Sequence, residues 1–274
     1  SGVPSSGVPS SGVPSSSVPS SSVPSSSVPS SSVPHSGVPS STVPHSGVPT
    51  PAADSTVPTK PRLNVLFIAV DDLRPELGTY GSEVITPNMD RLASTGVRFD
   101  QAYCQQAVCG ASRLSLMSGL YPVRTGEQTF HVSGWRDRHP NVLTMNQYFG
   151  QQGYQTIGLG KIYHGHSGGG VDPDHWERWV DVSAPDYAKP ENLQTLARVR
   201  AEGRVGDARD PAKGPLTESA DVHDDTYMDG KRAAEATSIL EGLAADQRQP
   251  FFLAVGFAKP HLPFVAPQKY WDLY

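Results

Sequence analysis

The chain has 274 residues, with 22 Lys and Arg against 27 Asp and Glu and a formal net charge of −5, so it lacks the broad basic surface that nucleic acid or an anionic membrane requires. No run of about eighteen apolar residues is present, which excludes a membrane-spanning helix within this sequence. Its two cysteines, Cys104 and Cys109, are too few and too close together for a disulfide framework and are read as unbridged.

Residues 1–59 repeat a pentad, from Ser1-Gly2-Val3-Pro4-Ser5 to Ser46-Gly47-Val48-Pro49-Thr50. Proline at every fifth residue forbids helix and ladder hydrogen bonding, and Ser and Gly supply too little apolar surface to offset chain entropy. The repeat is therefore predicted to be a disordered linker, partly polyproline II-like. It reads as a spacer, or more specifically as a stalk outside the cytoplasm, and an extracytoplasmic location (periplasmic, cell-surface or secreted) is expected. Ser1 opens the sequence without a charged segment and apolar core, so no signal peptide is expected in it. Some 210 residues remain for a globular unit, 60–274, enough for one large α/β domain.

Leu63 to Val70 is a nearly unbroken apolar run of strand length that ends at Asp71-Asp72, as expected of a strand buried on both faces of a parallel sheet. Thr86 as N-cap and Pro87 at the first helical position predict a helix that Gly96 closes. Val97 to Tyr103 is a further strand candidate. Ser112 to Met117 begins a helical pattern reaching Gly119, with Cys109 at its loop-to-helix junction. A helix over Thr144 to Gln152 is stopped by Gly153, and a strand over Tyr154 to Leu159 runs into Gly160-Lys161-Ile162-Tyr163-His164. Residues 172–214 contain four prolines, many charges and little periodicity, and are expected to form a surface insertion. Asp225 to Ala245 is the clearest helix, and Phe251 to Phe257 is a buried strand delivering Lys259-Pro260-His261. The alternation predicts an α/β fold whose mostly parallel sheet is flanked by helices.

Val108-Cys109-Gly110-Ala111-Ser112-Arg113 sets a thiol among small residues at a helix start. Backbone N–H groups favour developing negative charge there, and an arginine one turn on can pair with an oxyanion. A cysteine among small residues is also an ordinary packing residue, so this reading depends on what converges on it. Three polar clusters follow three predicted strands: Asp71-Asp72, Lys161 with His164, and Lys259 with His261. That edge of an open parallel sheet is where ligands bind. Adjacent carboxylates suit a hard divalent cation; the alternative is an acidic turn before Leu73-Arg74-Pro75. A thiolate partners such an ion poorly, so the chemistry calls for an oxygen-bearing group at residue 109. His166, in a glycine-rich run, is read as a loop residue. His223-Asp224-Asp225 is read as a helix cap, and Trp135, Trp176 and Trp179 as packing residues rather than a sugar subsite.

Asp71-Asp72-Leu73-Arg74-Pro75, Thr86-Pro87-Asn88-Met89-Asp90-Arg91-Leu92-Ala93, Cys109-Gly110-Ala111-Ser112-Arg113, Gly160-Lys161 and Lys259-Pro260-His261 occur in the order of the type I sulfatases, and residues 62–274 outside the insertion resemble that family. Within it, Gln105-Gln106-Ala107-Val108-Cys109 and Phe251-Phe252-Leu253-Ala254-Val255-Gly256 are most similar to the iduronate-2-sulfatase branch. The resemblance implies an alkaline-phosphatase-like α/β fold, with 60–274 the N-terminal part of a catalytic domain truncated at its C-terminus and further ligands expected beyond Tyr274. It implies that a formylglycine-generating maturation enzyme oxidises Cys109 to formylglycine. The hydrate of that residue then attacks the sulfur of a sulfated saccharide, expels the alcohol and eliminates sulfate.

By the same resemblance, Asp71, Asp72 and the residue 109 oxygen bind Ca2+ or a similar ion, and Arg113 holds the hydrate. Lys161 binds sulfate, His164 takes the hydroxyl proton in the elimination, and His261 binds sulfate and protonates the leaving oxygen. One departure stands inside the signature: Ala111 occupies the position where the family carries proline, which bears on the maturation enzyme that accepts this chain. Two other functions fit the residues. One is phosphonate or phosphodiester hydrolysis within the same superfamily, and the other is a non-catalytic surface protein binding sulfated glycans through an unoxidised Cys109.

Overall fold

The computed structural model describes residues 62–165, 172–202, 214–246 and 248–274. The pentad repeat, His166 and residues 203–213 of the expected insertion lie outside the described residues. Among the described residues there are six strands: β1 (Val65–Val70), β2 (Gln155–Gly160), β3 (Arg178–Val180), β4 (Thr217–Ala220), β5 (Phe251–Phe257) and β6 (Phe264–Pro267). The helices are α1 (Pro87–Thr95), α2 (Cys109–Ser118), α3 (Pro122–Thr125), α4 (Trp135–Arg138), α5 (Met145–Gln151), α6 (Pro190–Ala201), α7 (Met228–Ala245) and α8 (Gln268–Trp271). None is long and apolar enough to cross a membrane.

The main sheet has the order β1-β5-β2-β3 and is parallel throughout, with Val65 opposite Phe252, Gly160 opposite Gly256 and Ile157 opposite Arg178. Its central strand β5 is the continuous apolar run Phe-Phe-Leu-Ala-Val-Gly-Phe, buried on both faces. On one face Phe252 and Ala254 pack with Leu114 and Met117 of α2, Phe149 of α5, Trp135 and Trp176. On the other, Leu253 and Val255 pack with Ile157, Leu159, and Ala236 and Ile239 of α7. The result is the layered helix-sheet-helix arrangement that a sheet buried on both faces demands.

The first apolar run forms its strand, but only one face of it is covered. Phe67 stacks on Phe252, whereas Leu66 and Ile68 are 44% and 50% exposed. Both lie in register with Leu253 and Val255, on the side where α7 covers β5 and β2. Val97 to Tyr103 is not a strand: Val97, Phe99 and Tyr103 are exposed, and the segment is tied down by the Tyr80 hydroxyl donating to the Phe99 carbonyl at 3.0 Å. Its apolar alternation pairs with no strand among the described residues, so pattern alone does not make it a strand.

Helix boundaries follow local chemistry. Pro87 opens α1 as expected, yet the Thr86 hydroxyl makes no cap bond. It accepts instead from the Gly78 N–H at 2.9 Å and donates to Asp90 at 3.1 Å, joining the preceding turn to the helix. Gly153, at φ 76°, ends the α5 segment in the left-handed region that favours glycine.

Part of the stretch expected as an insertion enters the core. The Asp172 side chain is fully buried and accepts from Arg136 Nη2 at 2.8 Å, Thr144 Oγ1 at 2.8 Å and the Tyr163 hydroxyl at 3.2 Å, while His175 Nδ1 lies at 2.6 Å. Anchored there, the chain lays Trp176 over Phe252 with ring centroids 6.1 Å apart and adds β3 to the sheet. Gly158 leaves room for this: a Cβ on it would meet the Trp179 ring at 2.7 Å. Trp135 and Trp176 are buried and Trp179 is half-buried against the same core, which is packing as expected.

A second, smaller parallel sheet pairs β4 with β6. It is organised by Glu218, which is buried and accepts from the Ala188 N–H at 2.6 Å, the Asn192 amide at 2.6 Å and the Tyr227 hydroxyl at 2.7 Å. Burial pushes this carboxyl up, but the Ala188 N–H, the Tyr227 hydroxyl and the Asn192 amide outweigh it and hold it below the usual carboxylate range. Glu218→Gln places an NH2 among donors and is expected to cost about 1–3 kcal/mol at neutral pH. A depressed carboxyl stabilises the fold above its unfolded pKa and loses that contribution as pH falls through the folded value. The gap between wild type and variant, measured by urea denaturation, is therefore expected to narrow on acidification.

Candidate active site

The carboxyl ends of β1, β5 and β2 lie side by side, and each turns sharply into polar residues. The Asp71 N–H continues the ladder to the Phe257 carbonyl at 3.0 Å, after which Asp72 takes φ 54°. A non-glycine residue in that region is uncommon; aspartate is among the few side chains that tolerate it. At the end of β2, Gly160 has φ 75° and the Lys161 N–H donates to the Gly256 carbonyl at 2.8 Å. A Cβ on Gly160 would strike that carbonyl, and one on Gly256 would strike the Lys161 backbone. Two facing glycines thus let β2 bend across β5 and carry Lys161 to His164 over the sheet edge.

The Cys109 helix start faces the same edge. Val108 is extended at φ −142°, ψ 126°, and α2 begins at Cys109 itself, so the thiol sits beside the unpaired N–H groups of a ten-residue helix. Cys109 Sγ lies 3.2 Å from His164 Nδ1. The edge of Phe130 packs on the His164 ring with centroids 6.1 Å apart. Residue 110 has no room for a side chain, since a Cβ there would meet the Phe130 and Thr129 backbone at 2.6–2.8 Å. Ala111 is buried.

Arg113 and Lys161 converge on Asp71. Arg113 donates from Nε at 3.0 Å and Nη2 at 2.8 Å to Asp71 Oδ1, and its Nη1 reaches the Lys161 and Ile162 carbonyls. Lys161 Nζ pairs with Asp71 Oδ2. Burial pushes the Asp71 carboxyl up, yet the hydrogen bond from Lys161 and the charge of Arg113 outweigh it and hold the group below the ordinary range. Both cations, which the resemblance assigns to the hydrate and to sulfate, are engaged with this carboxylate in the structure.

On the open side, His261 Nε2 lies 4.0 Å from Asp72 Oδ2 and its Nδ1 is 2.7 Å from the Leu262 carbonyl. Ligand atoms of Asp71, Asp72 and His261 fall within 4.8 Å of one another. The two carboxylates fit a hard divalent cation that takes oxygen donors. His261, which the resemblance places on sulfate, borders the two carboxylates, and the donor expected from residue 109 is the oxygen of a converted residue and not the thiol.

The expected site residues thus form two adjacent groups, Cys109 with His164 and Asp71 with Asp72 and His261, joined by Arg113 and Lys161. Phe130 was not expected; a single aromatic in a loop carries no sequence signal for that placement. His223 and Asp225 pair at 3.3 Å on the surface, and Asp224 pairs with Lys269 at 2.7 Å. Both cysteines are unbridged.

Fold and site define an α/β protein of the alkaline-phosphatase-like class, with titratable side chains gathered at the carboxyl edge of a parallel sheet beside a helix-start cysteine. More narrowly, the chain belongs to the sulfatase family, whose model matches residues 63–274. It is 39% identical over 214 residues to iduronate 2-sulfatase of Mus musculus, covering 77% of this chain and 37% of that one. To iduronate 2-sulfatase of Homo sapiens it is 38% identical over 218 residues, covering 79% and 38%. The crystal structure of phosphonate monoester hydrolase of Agrobacterium radiobacter superposes with a TM-score of 0.53 at 25% identity, over 78% of this chain and 44% of that one. The chain therefore spans less than half the length of each of these three proteins.

Gly256→Ala tests the crossing of β2 over β5. The added methyl meets the Lys161 backbone in a packed interior and is expected to lower stability by about 1–3 kcal/mol or more. Chemical denaturation measures that loss, and a wild-type midpoint would show that the two strand ends are not in contact.

Proposed function

We propose that this chain bears the nucleophile-carrying part of a sulfuric ester hydrolase that removes sulfate from a sulfated carbohydrate, in the manner of an iduronate-2-sulfatase. The observation that carries the reading is the Cys109 sulfur at the start of α2, 3.2 Å from His164 and beside the Asp71, Asp72 and His261 group. Family membership and the iduronate 2-sulfatase relatives support it. Asp71 and Asp72, with the residue 109 oxygen, would hold the divalent cation, Ca2+ by the family's habit, which supplies positive charge against the sulfate oxygens when bound, and His261 beside them would bind the sulfate and protonate the leaving oxygen. Formylglycine at residue 109, made by a maturation enzyme, would supply the nucleophilic oxygen as its hydrate.

The chain's own groups have separate tasks in this reading. N–H groups at the start of α2 favour the negative charge of a sulfate, as helix starts do. His164 Nδ1 stands where it can hold or accept a proton at residue 109. Arg113, held by Asp71 and by the Lys161 and Ile162 carbonyls, fixes α2 to the end of β2 and keeps the nucleophile at that histidine. Lys161, on the Asp71 carboxylate at the end of β2, serves the sulfate. An extracytoplasmic location and a formylglycine-generating partner belong to the same proposal.

The test is sulfate release, read by ion chromatography, from sulfated disaccharides and an aryl sulfate by the full chain co-expressed with a formylglycine-generating enzyme and supplied with Ca2+. Mass spectrometry of the Cys109 peptide reads conversion in parallel. Cys109→Ala is expected to bring release to background with the fold retained, and His164→Ala to slow it about 10²- to 10⁴-fold. Sulfated-glycan binding without conversion or release would replace the proposal by a non-catalytic glycan-binding role. A second enzymatic reading, phosphonate or phosphodiester hydrolysis, draws on the likeness to phosphonate monoester hydrolase. Faster turnover of an aryl phosphonate than of the sulfate esters would establish it instead.

A further inference from the structure

We infer that Phe130, with the His131 ring against it, forms an aromatic wall beside residue 109 that receives the pyranose ring of a sulfated saccharide and so sets which alcohols the site accepts. This rests on the hydrolase reading above and supplies the contact for the part of the substrate that is not sulfate. Residue 109 and His164 meet the reacting sulfate, so the alcohol esterified to it has to lie on a flank of that pair. Phe130 occupies one flank. Its ring edge packs on the His164 ring with centroids 6.1 Å apart, yet the residue remains 37% exposed. The exposed His131 ring extends the surface, at 4.0 Å between centroids and tilted by 42°. Binding sites set apolar and aromatic faces around a few polar groups, and an open ring against the proton-accepting histidine is such a face.

The loop that carries the ring is tied down on both arms. A Cβ on Gly110 would meet the Phe130 Cα at 2.6 Å and its carbonyl oxygen at 2.7 Å, so the Phe130 backbone lies directly on the start of α2. The ring is thereby placed relative to residue 109. Arg138 donates from Nε to the buried Glu127 carboxylate at 2.6 Å and from Nη2 to the Ser133 carbonyl at 3.1 Å, closing the loop from outside. Within it the Val132 N–H donates to the Phe130 carbonyl at 3.1 Å, and the Val132 side chain joins the core beside Leu114, Met117 and Trp135. The loop thus buries its valine and leaves the larger apolar ring at the site. The face of an aromatic ring is partly negative, which suits the C–H face of a pyranose better than it suits the sulfate group itself.

Binding is measured on the full chain made in a host without a formylglycine-generating enzyme, so that residue 109 stays a thiol and the ester stays intact. The probes are a singly sulfated heparin-type disaccharide, phenyl sulfate and inorganic sulfate, each titrated by calorimetry. Saturation-transfer NMR, irradiating aromatic protons, reads the disaccharide contact directly. Wild type is expected to pass saturation to the sugar C–H protons. Phe130→Ala should abolish that transfer and weaken the disaccharide about tenfold, the scale of one lost ring contact, while inorganic sulfate stays within about twofold. Phe130→Tyr should keep both properties. Phe130→Leu retains apolar bulk, and with it the fold, but lacks the flat face, and should behave like the alanine variant. Phe99→Ala, at a ring that is 69% exposed and tied to Tyr80, should change nothing. In the converted enzyme, Phe130→Ala should raise KM for the disaccharide about tenfold with kcat nearly unchanged. Undiminished disaccharide affinity in the alanine and leucine variants would overturn the wall, as would equal weakening of inorganic sulfate or weakening of phenyl sulfate alone. A converted wild type that binds the disaccharide and releases no sulfate would overturn the hydrolase reading, and the binding comparison would still decide the role of Phe130.

Discussion

A single buried negative charge organises the site. Asp71 continues the β1–β5 ladder through its backbone and, through its side chain, holds Arg113 of α2 and Lys161 from the end of β2. A carboxylate out of water is tolerated only when paired and hydrogen-bonded, and removing one partner of such a pair typically costs about 3–5 kcal/mol. Three pieces of chain far apart in sequence are therefore bound to one another by the requirement that this charge be compensated. The cysteine and its histidine inherit their proximity from that knot, since Cys109 begins the helix that carries Arg113 and His164 follows Lys161 in the same turn.

Glycines and carboxylates share the work around this knot. Gly110 lets the Phe130 backbone lie against the start of α2, and Gly160 and Gly256 let two strand ends cross. Asp172 and Glu218 gather donors from loops that have no ladder to join. Much of the interior is thus specified by acceptor geometry as well as by apolar volume, which is how buried polar groups come to fix a unique arrangement.

Elements whose signal is local were legible in the sequence. β5 is an apolar run with polar flanks, and α2 begins at its cysteine and ends at a left-handed Gly119. Pro87 and Gly96 bracket α1. The three polar clusters were legible as well, because residues just after buried parallel strands share one edge. What depends on a distant neighbour was not. Val97 to Tyr103 alternates like a strand but has no strand partner among the described residues, and the full burial expected for the first apolar run fails at Leu66 and Ile68, beyond the reach of α7. β3 was hidden among prolines and charges because its place is secured by Asp172, whose partners span Arg136 to His175. The pairing of Arg113 and Lys161 with Asp71 likewise has no sequence signature, since nothing in a motif says which of several nearby anions a cation will choose.

The strand order also has a bearing on how the chain is made. β1 has β5 as its neighbour, and the Phe251 N–H that donates to the Asn64 side chain at the start of their pairing is 187 residues away from it. β5, the strand on which both β1 and β2 depend, is the last of the four to leave the ribosome. At about 5–20 residues per second, the first strand waits roughly ten to forty seconds for its template, with Phe67 lacking the Phe252 ring on which it stacks. Long-range parallel pairing of this kind is slow and leaves sticky intermediates. Yield from a cell should therefore respond more to translation speed and chaperone supply than to the stability of the finished sheet.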